Sequence, residues 1–175
     1  MSNVIFGLFV LVIILAISGY ASPAADEDPC VNFAGEASHE LAVMKQTSQE
    51  ITAAANPDAG VPRISTETLY RLTLAAQSRV KFVANPGRTA VEEGSYAGLV
   101  KFRVSKAGRY RVSITSTHWI DIIDGAQLLE ARAFQGLHGC KRPRKIVEYD
   151  LPADHDLILQ LSGSPESRVD VAITL

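Results

Sequence analysis

Residues 100–115 read VKFRVSKAGRYRVSIT, two runs in which apolar and polar side chains take turns. Val100, Phe102 and Val104 alternate with Lys101 and Arg103, and Tyr110, Val112 and Ile114 alternate with Arg109, Arg111, Ser113 and Thr115. Successive strand side chains point to opposite faces, so a period of two gives each run one apolar and one polar face. The intervening Ser105-Lys106-Ala107-Gly108 turns the chain back. Such a pair belongs in an antiparallel sheet with one face on a core.

The same period continues in both directions. Upstream, Tyr70, Leu72 and Leu74 alternate with Arg71 and Thr73, and Val80 and Phe82 alternate with Arg79 and Lys81 before a turn at Asn85-Pro86-Gly87. Downstream, His118 to Ile123 (HWIDII) ends at Asp124-Gly125, a hairpin signal, and Leu128 to Phe134 is its expected return. Ile146 to Leu151, Leu157 to Leu161 and Val169 to Leu175 complete the set, divided by Pro152-Ala153-Asp154 and Gly163-Ser164-Pro165. Short strands spaced about 8 to 12 residues apart predict an all-β, antiparallel β-sandwich or jelly roll over residues 63–175. There is no βαβ rhythm and no internal repeat.

Before this domain, residues 26–62 are rich in Ala, Ser and Glu and read as an N-terminal arm. Within it, Leu41, Met44, Ser48, Ile51 and Ala55 fall near one face of an expected helix over Glu36–Ala54, which Asn56-Pro57-Asp58-Ala59-Gly60 would end. Residues 1–25 hold no Asp, Glu, Lys or Arg. Val4 to Ile17 is almost purely apolar, and Ser18-Gly19-Tyr20-Ala21-Ser22-Pro23-Ala24-Ala25 follows with small residues. That is the pattern of a cleaved signal peptide, with an uncleaved anchor as the alternative. Either places the domain outside the cytoplasm, with a periplasmic location expected and membrane contact only if the segment is retained.

Formal net charge is -2, which argues against a nucleic-acid partner recognised through a general basic field. The two cysteines, Cys30 and Cys140, read first as a disulfide in an oxidising compartment, ahead of metal ligation or free thiols. The bridge would tie the arm to Leu137-His138-Gly139-Cys140-Lys141-Arg142-Pro143-Arg144-Lys145. There Lys141, Arg142, Arg144 and Lys145 form either a solvated edge loop or an anion-binding surface.

A second candidate ligand site is His118, Trp119 and Asp121, with His138 as a further member. In a strand Trp119 and Asp121 share a face, which suits stacking on a sugar and bonding its hydroxyls. Packing across the two sheets is the commoner use of a lone tryptophan, and Trp119 is expected there. A metal held by His118, Asp121 and His138 is not demanded by their spacing, and no cofactor is expected. No Gly-x-Ser-x-Gly elbow is present.

Several of these segments together carry a resemblance: Gly108-Arg109-Tyr110-Arg111-Val112, His118-Trp119-Ile120-Asp121-Ile122, Gly139-Cys140, Arg144-Lys145-Ile146-Val147, Leu159-Gln160-Leu161-Ser162-Gly163 and Val169-Asp170-Val171. The chain from Val100 to Leu175 resembles short exported bacterial β-sandwich proteins of unknown function, some of which carry the name homogentisate 1,2-dioxygenase. Asp28-Pro29-Cys30 matches more loosely. The resemblance implies an early and a late cysteine in the same roles. The fold also resembles β-sandwich modules appended to secreted peptidases. An oxygenase iron site needs two His and a carboxylate facing one point. His39, His118, His138 and His155 are scattered along the chain, with no His-x-His pair among them. The expectation is therefore a non-enzymatic binding module for a glycan, an envelope component or a protein. A small metal-dependent, oxygenase-type enzyme is the alternative.

Overall fold

The computed structural model describes residues 29–88 and 93–175. The expected signal segment and its cleavage region lie outside the described residues. Among the described residues, no helix is long and apolar enough to cross a membrane.

A short 3-10 turn at Pro29–Phe33 leads into helix α1 (Ala34–Val43). The strands are β1 (Gln49–Thr52), β2 (Tyr70–Thr73), β3 (Ala75–Ala76), β4 (Tyr96–Phe102), β5 (Gly108–Ile114), β6 (Trp119–Asp124), β7 (Gln127–Leu129), β8 (Ala131–Gly136), β9 (Lys145–Leu151), β10 (Leu157–Ser164) and β11 (Arg168–Thr174). They form a β-sandwich of two sheets, ordered β1-β2-β11-β5-β9-β8 and β3-β4-β10-β6-β7. The period of two sets the layers. Tyr70, Leu72, Val112, Ile114, Val147, Tyr149, Val169 and Val171 from the first sheet meet Val100, Phe102, Ile120, Ile122, Leu159 and Leu161 from the second in one buried core. Each fully buried large apolar side chain contributes about 1.5–3 kcal/mol, so this layer is the main source of stability.

Three sequence expectations change. The helix is shorter than Glu36–Ala54: it ends at Val43, and Ile51 lies in β1, which pairs in parallel with β2 (Ile51↔Leu72). The sheet offers Gln49–Thr52 a ladder along β2, and that outweighs continuation of a thin helical stripe. From β1 the chain crosses to the other sheet, where Ala54 and Ile64 bond β4 at Leu99 and Lys101, before returning as β2. Residues 49–64 therefore complete both sheets rather than trailing from them. Gly98 makes this possible, because a Cβ there would lie 2.6 Å from the Ala53 methyl.

Val80 to Phe82 is not a strand. It belongs to an irregular strap, 77–88, beginning with a 3-10 turn at Gln77–Arg79. Its backbone is met by isolated backbone bonds, such as Lys81 N–H to Ala55 O (2.8 Å), and by side chains instead of a ladder. Val83 N–H donates to Gln160 Oε1 (3.0 Å), and Gln160 Nε2 donates to Ala84 O (3.0 Å). Gln160 alternates with the core residues Leu159 and Leu161, so the strap lies on the outer face of the five-stranded sheet. Finally, the expected return strand Leu128–Phe134 divides at Glu130, with β7 pairing β6 and β8 pairing β9 across the sandwich.

The outer face of the six-stranded sheet carries α1. Ala37 and Leu41 pack with Leu137, Cys140 and Ile146, while Val43 and Met44 pack with Leu69 and Ala172. Glu40, 3 % exposed, accepts from Arg111 Nη1 (3.4 Å) and Thr174 Oγ1 (3.1 Å), which fixes the helix to β5 and β11.

Candidate functional site

The Cys30–Cys140 disulfide is formed (S–S 2.02 Å), and it fastens the start of the helical cover to the loop between β8 and β9. The four cations that follow Cys140 then separate. Arg144 Nη1 turns inward to Leu137 O (3.3 Å), and Lys145 Nζ reaches His118 O (3.1 Å). Lys141 and Arg142 stay exposed, beside two arginines that sequence reading did not single out.

These are Arg71 on β2 and Arg168 on β11. With Thr115, Lys141, Arg142, Glu166 and Asp170 they line an open cleft of about 620 Å³ on the outer face of the six-stranded sheet. Its base is Asp170, 6 % exposed. Arg71 grips it with two bonds (Nε–Oδ1 2.7 Å, Nη2–Oδ2 3.1 Å), and Arg142 Nη2 lies 3.0 Å from Oδ2. Asp170 also receives a backbone constraint, its N–H donating to Thr115 Oγ1 (3.0 Å). One buried carboxylate thus orients two guanidinium groups along the cleft floor. Four cations against Glu166 and Asp170 leave the cleft positive. Lys141 and Arg142 also border a neighbouring cleft with Pro29, Cys30, Met44 and Lys45, which extends the basic surface past the disulfide. The outward period of Arg71 and Asp170 is visible in the sequence. Their pairing is a matter of register (Arg71↔Asp170), which no local pattern encodes.

At the same end of the sandwich, on the outer face of the other sheet, is the Trp119 corner. Trp119 does not pack between the sheets; it is 36 % exposed. The inward positions of β6 go to Ile120 and Ile122, and the alternation leaves Trp119 and Asp121 facing out. The indole Nε1–H donates to Asp121 Oδ1 (2.8 Å), and Gly87 N–H donates to Oδ2 (3.2 Å). Gly87 is needed for this approach, since a Cβ would stand 2.9 Å from Trp119 Nε1. Lys145 Nζ lies 5.3 Å from the ring centroid, a cation–π contact.

Burial shapes the ionisation here. It pushes the Asp121 carboxyl upward, against the bonds from Trp119, Gly87 and Gln160 that favour its charge. Burial also lowers Lys145, and the Arg88 guanidinium lowers it further, while Asp121 offsets part of that. Tyr149 is raised by burial, and its hydroxyl donates to Ile120 O (2.9 Å). His118 is 2 % exposed, and neither ring nitrogen has a hydrogen-bond partner. Burial, then Lys145, depress its pKa to about 3.

The histidines stay apart. His39 pairs with Glu67 (2.6 Å) and His155 with Asp124 (2.8 Å), His118 is buried, and His138 is exposed on the β8–β9 loop. Among the described residues, no group of three or more His, Cys, Asp or Glu is gathered as a metal would require, so His118, Asp121 and His138 do not form such a set.

No protein-family model and no curated relative matches the chain. Among solved structures it is similar to the pre-peptidase C-terminal domain of a collagenase from Bacillus anthracis. The identity is 8 %, the match covers 73 % of this chain and 99 % of that one, and the TM-score is 0.36. That likeness is too slight to bear on function.

Proposed function

We propose that the protein is an exported, non-enzymatic β-sandwich module that binds an anionic component of the cell envelope in the cleft floored by Asp170. The observation that carries this reading is the Arg71–Asp170–Arg142 arrangement. A buried carboxylate holds two guanidinium groups in place, and Lys141 and Arg168 stand beside them without an ion-pair partner among the described residues. Arginines held in this way lose little entropy on meeting a carboxylate, sulfate or phosphate. The closed disulfide supports an oxidising, extracytoplasmic setting. The apolar segment before residue 26 and the resemblance to short exported proteins agree with export.

Retention on immobilised dextran sulfate in a salt gradient tests the reading. The double substitution Arg142→Ser with Arg168→Ser leaves Arg71 on Asp170, so the buried carboxylate keeps a partner. The wild-type protein should elute at clearly higher salt than this variant, because exposed charge contacts are screened as ionic strength rises. Elution of both at the same salt would overturn the proposal.

A further inference from the structure

The Trp119 corner carries a second, separate site. Two cations, Lys145 and Arg88, face a single carboxylate there, Asp121. Among the described residues, the close partners of Lys145 Nζ are the His118 carbonyl and the indole ring, and no carboxylate forms an ion pair within 4 Å with it or with Arg88. Arg88 is close enough to Lys145 to disfavour its charge. Asp121 balances one of the two charges, and its own oxygens are taken by Trp119 and Gly87. Among the described residues, the corner is left with one positive charge in excess beside an exposed aromatic ring.

The ring is held, not loose. Its N–H is fixed on a buried carboxylate, the Gly87 backbone lies against that edge, and Lys145 sits over the ring. Its surroundings are polar: Lys145, Arg88, Asp121 and, across the strand pair, Ser162 (Ser162↔Trp119). An apolar protein side chain docked here would bury the Lys145 and Arg88 charges without partners, which is costly. A sugar ring offers the opposite arrangement, an apolar C–H face bordered by hydroxyls. The excess positive charge selects among sugars for one bearing an acid group.

We infer that the Trp119 corner binds an acidic sugar residue, a uronate, with its ring on the exposed indole and its carboxylate between Lys145 and Arg88. This site shares no residue with the Asp170 cleft, so the two stand or fall separately.

Trp119 is the chain's only tryptophan, so intrinsic emission reports on this site alone. Titrating the full domain with an oligogalacturonate should change the emission saturably, while a neutral galactose oligomer of equal length should not. Arg88→Ser, at an exposed position, should weaken the oligogalacturonate response about tenfold, the loss expected for one charge-assisted contact. The cleft variant Arg142→Ser/Arg168→Ser should leave the response unchanged. Calorimetry on Trp119→Ala, with circular dichroism to confirm folding, should show the same ligand lost. An equal response to the neutral oligomer, no response to either, or a response indifferent to Arg88→Ser would overturn the inference. Calorimetric binding kept in Trp119→Ala and lost in the cleft variant would overturn it too, placing the sugar at Asp170 instead.

Discussion

The two sheets are covered on their outer faces by unlike structures, and the sheets differ accordingly. Over the six-stranded sheet lies α1, a helix kinked at Ala37 whose backbone bonds close mostly within itself, the Glu36 carbonyl accepting instead from Arg111 Nη1 (2.8 Å). The sheet therefore offers it mainly apolar contacts (Leu69, Ile146, Ala172) and one polar junction, in which Arg111 reaches Glu36 O and Glu40 and Thr174 reaches Glu40. Over the five-stranded sheet lies the strap 77–88, which has no ladder of its own. Buried backbone groups must find partners, so that sheet presents long polar side chains from its outward positions. Gln160 serves Val83 and Ala84, Asp121 serves Gly87, and Gln77 of the strap returns a bond to Gly163 N (2.6 Å). A helical cover asks for an apolar sheet face, and an irregular cover asks for a polar one. Each candidate ligand site lies beside one of the covers, the Asp170 cleft next to the helix and the Trp119 corner next to the end of the strap.

The largest expected effect separates the covers through the disulfide. Its sequence separation is 110 residues, and the chain-entropy treatment gives about 4–5 kcal/mol for closing such a loop, as an upper figure. Cys30→Ser with Cys140→Ser should lower the urea midpoint by a corresponding amount. Hydrogen exchange should show more. Amides of α1 should lose protection, while those of β4, β6 and β10 beneath the strap keep theirs. Equal loosening on both faces would show that the two covers act as one unit.

A smaller effect belongs to the strap side and depends on pH. His118, at the start of β6, has a folded pKa depressed to about 3 from the ordinary 6.5. Below pH 6.5 the unfolded chain takes up a proton that the folded protein refuses, so stability falls as pH drops towards 3. The slope is at most about 1.4 kcal/mol per pH unit over that window. Replacing His118 by Leu removes the proton site and two unpartnered nitrogens, so the variant should match or exceed the wild type at pH 7 and lose less on acidification. Urea midpoints at pH 7, 5 and 4 for both proteins measure this. Parallel acid losses would mean that another group, on either face, governs the behaviour.

How much of this was legible beforehand follows from which interactions are local. Tyr110-Arg111-Val112-Ser113-Ile114 declared a strand because alternation is written into neighbouring residues, and Cys30 and Cys140 declared a bridge because no other cysteine competes. Val80–Phe82 misled for the same reason: its alternation is real, but the Val80 N–H closes the turn on Gln77 O and the Lys81 N–H goes to Ala55 O, so neither joins a ladder. Trp119 was placed inside because a lone tryptophan usually is. Its side was in fact decided by parity with Ile120 and Ile122, whose claim on the core the same segment already displayed. Arg71 and Arg168 went unremarked because a cleft formed by β2, β11 and the disulfide loop depends on strand order, and strand order is a property of the whole sandwich.

The smallest effect isolates one side chain. Gln160 is fully buried and holds the middle of the strap by two bonds, accepting from Val83 N–H with Oε1 and donating to Ala84 O with Nε2. Only one orientation of the amide satisfies both, so the pair fixes the strap's height and its register along β10. Gln160→Leu keeps most of the volume and the core-facing neighbours Leu159 and Leu161, but leaves both backbone groups unmet at about 1–3 kcal/mol each if they stay dry. Because Val83 and Ala84 are only half-buried, water can reach them when the strap lifts, which brings the expected loss to about 2 kcal/mol. The lifting itself is the diagnostic. The Val83 amide should exchange faster and cleavage within 80–88 should increase, while α1 and the Arg111–Glu40 junction remain as protected as in the wild type. Loss of protection on the helical face as well would mean that the strap's polar bonds support the sandwich as a whole, and the contrast between the two covers would then be one of appearance only.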